Sequence, residues 1–259
     1  MIFLKLGGSL ITDKTGVEQV RADVLARLAD EIGAAWTELP SLVLGHGSGS
    51  FGHVAGAKYG TRQGVATPAQ WLGFAQVSAA AARLNRLVVE ALLAAGVPAL
   101  TIQPSASARC RDGVITHLAN HTVKNALEAG LLPVVYGDVA FDEGRGGTII
   151  STEEVMDYLA QEIRPSWLLL AGETEGVYDE AGQLIPAITP ANFAAIRPAL
   201  GGSRGTDVTG GMAGKVEAML RLVENQPGLT IRIFSGLEPG NLQQILKQPE
   251  RPIGTVISR

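Results

Sequence analysis

One cysteine, Cys110, is all that this 259-residue chain contains. An intrachain disulfide framework is therefore excluded, and a reducing compartment such as the cytosol is expected. A lone thiol of this kind reads as a small, semi-buried side chain rather than a nucleophile. Basic blocks are missing as well. Lys and Arg number 21 against 25 Asp and Glu, the net charge is −4, and no nucleic-acid partner is expected. No uninterrupted apolar run reaches membrane length, so no membrane partner is expected either. Met1-Ile2-Phe3-Leu4 leads straight into Lys5 and glycines, from which no signal peptide is expected. On that footing the Asn120-His121-Thr122 sequon stays unmodified. Histidines number only four, and neither they nor the cysteine show metal-ligand spacing, so no resident metal is expected. His117 and His121 are spaced to lie one helical turn apart and are expected to cover a surface. Repeats, low-complexity tracts and hydrophilic linkers are absent, so one continuous domain over 1–259 is expected.

What is present is apolar: 46% of residues are hydrophobic and 18% charged, enough for a sizeable buried core. Strand-like runs at 2–6, 42–44, 99–102, 132–136, 167–170, 230–234 and 255–257 alternate with helical patterns. The helices fall at 22–35, 68–95, 122–129, 153–163, 214–223 and 242–247, with apolar spacings such as Val24, Leu25, Leu28 and Ile32. This alternation predicts an α/β protein, a three-layer αβα sandwich around an open, mainly parallel sheet.

Four glycine-bearing segments follow strands. The richest is Gly45-His46-Gly47-Ser48-Gly49-Ser50-Phe51-Gly52-His53. Its small residues leave successive backbone N–H groups accessible to an anion, and its two histidines could each donate to a phosphoryl oxygen. The alternative is a glycine-rich turn with packed histidines. The first strand ends in Lys5-Leu6-Gly7-Gly8-Ser9, with Lys14 shortly after. Two lysines could bracket a polyphosphate there; otherwise the segment is a strand and a flexible turn. A third, Gly172-Glu173-Thr174-Glu175-Gly176-Val177-Tyr178-Asp179, reads in isolation as a hairpin. The fourth, Asp207-Val208-Thr209-Gly210-Gly211-Met212-Ala213-Gly214-Lys215, opens a helix whose N–H groups, dipole and lysine favour phosphate.

Several common motifs fail. Gly214-Lys215 resembles the end of a Walker A loop, but Thr209 stands at its first glycine and Val216 at its magnesium hydroxyl. Gly47-x-Gly49-x-x-Gly52 matches the dinucleotide fingerprint, yet no Asp or Glu follows until Glu90. Gly201-Gly202-Ser203-Arg204-Gly205 spells a nucleophile elbow after a stretch that makes a poor strand.

Taken together, and in this order, these segments resemble the amino acid kinase superfamily along nearly the whole chain. They are joined by Gly137-Asp138 and by Gly176-Val177-Tyr178-Asp179. Ser50-Phe51-Gly52-His53 followed by Lys58-Tyr59 is similar to the branch that phosphorylates isopentenyl phosphate, and the fosfomycin kinases look similar around such a loop. The resemblance implies an amino acid kinase-like fold, with an acceptor-binding amino-terminal part and a nucleotide-binding carboxyl-terminal part. It also implies ATP and Mg²⁺ as cofactors, isopentenyl phosphate as the small-molecule partner, and a homodimer. Two departures stand out. Ser151-Thr152-Glu153-Glu154 replaces the family's Ser-Gly-Asp-Asp, and Glu173-Thr174-Glu175 is one residue shorter than the usual loop before its glycine.

The implied reaction moves the γ-phosphoryl of ATP onto a phosphate acceptor. Lys14, His53, Lys5 and Lys215 are the implied catalytic residues. Nucleotide contacts fall to Lys5, Leu6, Gly7, Gly8, Ser9, Ser48, Thr174, Gly176, Tyr178, Asp179, Gly211 and Lys215. Acceptor contacts fall to Gly47, Gly52, His53, Ser151 and Thr152. Gly8, Gly47 and Ser48 would donate backbone N–H groups, and magnesium would arrive with the nucleotide. For the hydrocarbon tail, Trp71, Phe74 and Ser78 share a helix face, either as a pocket wall or as core. Two other readings stay open: a kinase for a phosphonate such as fosfomycin, and a non-enzymatic anion- or nucleotide-binding sensor.

Overall fold

A computed structural model describes residues 1–39, 41–200 and 211–259; the side chains at 53–55 and 199 and the burial of Gly211 lie outside the described set. In chain order the elements are β1 (Ile2–Leu6), α1 (Gly8–Ile11), α2 (Ala22–Trp36), β2 (Leu42–His46), α3 (Gly49–Tyr59), α4 (Pro68–Ala94), β3 (Ala99–Thr101), β4 (Arg109–Arg111) and β5 (Val114–His117). Then come α5 (Asn120–Glu128), β6 (Leu132–Tyr136), β7 (Asp138–Asp142), β8 (Gly146–Ile150), α6 (Thr152–Ile163), β9 (Trp167–Gly172), β10 (Ala187–Ile188), α7 (Pro190–Ile196), α8 (Gly211–Asn225), β11 (Thr230–Ser235), α9 (Asn241–Lys247) and β12 (Thr255–Ile257). The main sheet runs β10-β12-β11-β9-β1-β2-β6-β3, parallel except where β11 meets β12. The three-layer sandwich predicted from the alternation is the fold observed.

Strand parity sorts the side chains between layers. Ile2, Leu4 and Leu6 face a core with Leu28 and Ile32 of α2, Leu84 of α4 and Ile245 of α9. Phe3 faces the other core, with Val155 and Leu159 of α6 and Val216 of α8. Lys5 shares parity with Phe3 and so emerges on the α6/α8 side. His46 shares parity with Leu42 and Leu44 and falls on the α4 side. Helix starts follow local chemistry: Thr67 with Gln70 and Pro68 caps α4, and Ser151 with Glu154 caps α6, each pair forming a capping box.

Two departures from the sequence reading matter. A second sheet, β5-β4-β7-β8, was not expected. Asp142 secures it, taking backbone N–H groups from Asp112, Gly113, Gly144 and Arg145 with a 4% exposed side chain. Also, the histidine segment is no extended loop: β2 runs on through His46 and α3 begins at Gly49. His117 ends β5 while His121 lies in α5, both exposed, so their surface position holds but a shared helix does not.

Candidate active site

β1 separates a half-sheet reached through β2 from one reached through β9, so the sheet's topological switch lies beside β1. Crevices at the carboxyl ends of such strands bind ligands. Here the end of β1 and the end of β2 meet backbone to backbone. A Cβ on Gly8 would come within 2.5 Å of the Gly49 nitrogen, and one on Gly47 within 2.7 Å of the Gly8 nitrogen. Only glycine permits that approach. Among the described residues, the Gly8 and Ser48 N–H groups have no partner, which leaves them available to an anion. Leu6 is buried in the sheet and contributes its carbonyl to Gly47. The Gly7 N–H bonds the Ala171 carbonyl at 2.8 Å, which ties this turn to β9.

Charge converges on the same edge. Lys5 pairs with Glu153 at the start of α6. Desolvation pushes the Glu153 carboxyl up, but the Lys5 ammonium, its hydrogen bond and the charge of Lys215 bring it below the usual carboxylate range. Lysines from opposite ends of the chain are therefore gathered around one carboxylate, and polyphosphate could take its place.

Lys14 is exposed, without an ion pair among the described residues, on a loop closed by the Asp13 N–H to the Gln19 carbonyl at 2.8 Å. Two buried hydroxyls fasten this loop to the start of α3. Thr12 Oγ1 donates to the Gly8 carbonyl at 2.7 Å and accepts from the Ser50 N–H at 3.0 Å. Ser50 Oγ in turn accepts from the Gln19 N–H and donates to the Gln19 carbonyl. Glu18 of the same loop pairs with Arg83 of α4. The sequence reading missed Thr12 and Ser50 as positioning groups, because the residues they join lie 38 positions apart.

Several of the expected contact groups are engaged within the protein. His46 is fully buried, stacked on Tyr136 with centroids 5.5 Å apart, and burial pushes its imidazole down to about 4. It is the packed histidine of the alternative reading, not a phosphate donor. The Gly47 N–H is engaged by the Leu6 carbonyl at 3.0 Å. Ser151 Oγ caps the Glu154 N–H, and Thr152 Oγ1 donates to the His46 carbonyl at 2.6 Å while the residue is 2% exposed. Gly52 lies beneath the Ser48 side chain.

The third segment is a hairpin after all: Tyr178 pairs with Leu184, and Asp179 Oδ1 accepts the Gln183 N–H. Thr174 and the Tyr178 ring are exposed beside it, and Gly176 is buried against Thr255. The hydroxyl of Ser9 has no partner among the described residues. The His53 side chain, the surroundings of Gly211 and the segment 201–210 lie outside the described residues.

The rings of Trp71 and Phe74 pack edge to face, and a third ring joins them. Phe141 of β7 sits 5.9 Å from Trp71 and 5.5 Å from Phe74. Phe74, Ser78, Ala82, Val139 and Phe141 line a groove of about 440 Å³ between α4 and β7. Phe141 left little signal in the sequence, since its strand holds only Val139-Ala140-Phe141 between two aspartates.

Comparison with known proteins bears on the family and the fold. The model of the amino acid kinase family matches residues 1–235. A curated relative, isopentenyl phosphate kinase of Methanothermobacter thermautotrophicus, is 36% identical over 95% of each chain. The corresponding protein of Haloferax volcanii is 40% identical over 86% of this chain and 88% of its own. A solved structure described as isopentenyl phosphate kinase superposes with a TM-score of 0.84 at 32% identity, covering all of both chains.

Proposed function

This chain belongs to the amino acid kinase family, and from that membership we infer that it transfers the γ-phosphoryl group of ATP to isopentenyl phosphate, giving isopentenyl diphosphate and ADP. The observation that carries this reading is the contact between Gly8 and Gly47-Ser48-Gly49, flanked by Lys5, Glu153 and Lys215.

A phosphate monoester is mostly dianionic at neutral pH, so the acceptor needs no general base. Its oxygen attacks the γ-phosphorus, the bond to the β–γ bridging oxygen breaks, and ADP leaves with that electron pair. Repulsion between the two anions is the obstacle, which makes catalysis a matter of positioning and charge neutralisation. In this assignment Lys14 stabilises the transferring group, and Lys5 and Lys215 hold nucleotide oxygens. The Gly8 and Ser48 N–H groups bind phosphoryl oxygens. His53 orients the acceptor phosphate. Thr174, Tyr178, Asp179 and Gly211 belong to the nucleotide side, in the carboxyl-terminal part of the chain. Magnesium would enter with the nucleotide as part of the substrate MgATP.

The hydrocarbon tail takes the apolar groove beside Phe74 and Phe141. A homodimer is supported by the edge strand β3, where Leu100 is 40% exposed, and by Leu87 and Leu93 on the adjoining α4. The buried, unpaired Cys110 supports a cytosolic setting. The deciding experiment is ADP release with isopentenyl phosphate and with fosfomycin as acceptors. A preference for fosfomycin would overturn the acceptor assignment, and no turnover with any acceptor would favour the sensor.

A further inference from the structure

His46 is buried and makes no contact that phosphoryl transfer needs, yet every hydrogen-bonding group around it is matched. Its Nδ1 lies 3.2 Å from the Gly47 carbonyl oxygen. That oxygen can only accept, so Nδ1 carries the proton. A neutral imidazole then has a bare Nε2, and Asn85 Nδ2 of α4 stands 3.1 Å away to donate to it. The other end of that amide, Asn85 Oδ1, accepts from Thr101 Oγ1 of β3 at 2.7 Å. Donors thus point one way along the chain Thr101, Asn85, His46, Gly47. Meanwhile the His46 carbonyl is held by Thr152 Oγ1, and the Gly47 N–H by Leu6.

The Gly47–Ser48 peptide is trans, so its N–H points opposite to its carbonyl. With the carbonyl drawn toward the α4 side by the ring, the Ser48 N–H is turned to the side that carries Lys5 and Glu153. We propose that His46 is a positioning residue: by holding the Gly47 carbonyl it aims the Ser48 N–H at the phosphoryl group in transfer. This rests on the phosphoryl-transfer reading above.

Two substitutions separate the bonds of the ring. In His46→Asn the amide nitrogen falls near the place of Nδ1 and keeps the donor to the Gly47 carbonyl, whereas in His46→Gln the amide oxygen falls near the place of Nε2, accepts from Asn85 Nδ2 and leaves the Gly47 carbonyl without its donor. The positioning role predicts that kcat with isopentenyl phosphate and ATP is about tenfold or more higher in His46→Asn than in His46→Gln, at similar melting temperatures. A purely structural histidine predicts equal kcat or the reverse order, and either result overturns the proposal. The ¹⁵N resonances of the His46 ring in the unmodified protein provide a second test that no variant's folding can spoil. A protonated Nδ1 and bare Nε2 are expected, and a protonated Nε2 overturns the proposal. Wild-type protein with the expected tautomer but no turnover would overturn the phosphoryl-transfer reading, and this proposal with it.

Discussion

Replacing Thr12 by valine removes one hydroxyl from a fully buried site while nearly preserving its shape. Two hydrogen bonds disappear, with unequal consequences. The Gly8 carbonyl still accepts the Thr12 N–H at 2.9 Å, so it remains satisfied. The Ser50 N–H loses its partner at a residue only 3% exposed. An orphaned buried donor costs about 1–3 kcal/mol. For a chain of 259 residues, about 2 kcal/mol corresponds to a fall of roughly 4 °C in melting temperature. Activity should suffer more than stability, because the same hydroxyl anchors the loop that carries Lys14. A displacement near 1 Å at a reacting group can cost ~100-fold, so kcat should drop between about tenfold and 100-fold. Thr12→Ser keeps both bonds and should stay near wild type. The assay is kcat with isopentenyl phosphate and ATP beside thermal melting, repeated in a Lys14→Met background. If Thr12 acts through Lys14, the valine effect on kcat should vanish there. A Thr12→Val protein with unchanged melting and kcat, or an undiminished effect without Lys14, would refute the reasoning.

His53→Ala should lower turnover by about 10²–10³ with ATP binding nearly intact, and His53→Gln should lose less; near-normal activity in the alanine variant removes His53 from the site. Phe74→Ala should raise kcat/KM for geranyl phosphate relative to isopentenyl phosphate, since each added buried CH₂ is worth about 0.8 kcal/mol. A lowered melting temperature with an unchanged ratio would instead assign Phe74 to the core. Burial pushes the Asp142 carboxyl up, but four backbone N–H bonds hold it below its ordinary value. Its contribution to stability is present above the unfolded-state pKa and is lost as pH falls through the folded one. The stability advantage over Asp142→Asn, followed by chemical denaturation, should therefore shrink below about pH 4; an advantage independent of pH contradicts this.

Much of this fold is written locally. The strands at 2–6, 132–136 and 255–257 match β1, β6 and β12 to the residue, and the helix over 22–35 misses only Trp36. Apolar runs and spacings of three and four are properties of a short window, so they can be read without knowing the partners. The same holds for glycines after strands and for lysines beside them. What the window hides is anything defined by a distant neighbour. Helix α3 carries Gly49, Gly52 and Gly56, poor helix formers, and no amphipathic stripe; packing on α4 makes it helical. The second sheet has strands such as Arg109–Arg111, with one buried residue between two exposed ones, and its register comes from pairing β4 with β7.

The site divides in the same way. Sequence alone determined that glycine-rich segments follow the central strands and that lysines from both ends of the chain stand beside them. Only the tertiary structure decided which groups are free to do so. It set Lys5 against Glu153, 148 residues away, joined Thr152 to the His46 carbonyl across 106, and brought Phe141 to Phe74 and Trp71. A residue type fixes which hydrogen bonds and charges are available. Whether they are consumed inside the protein or left for a substrate depends on partners that chain folding alone brings within reach.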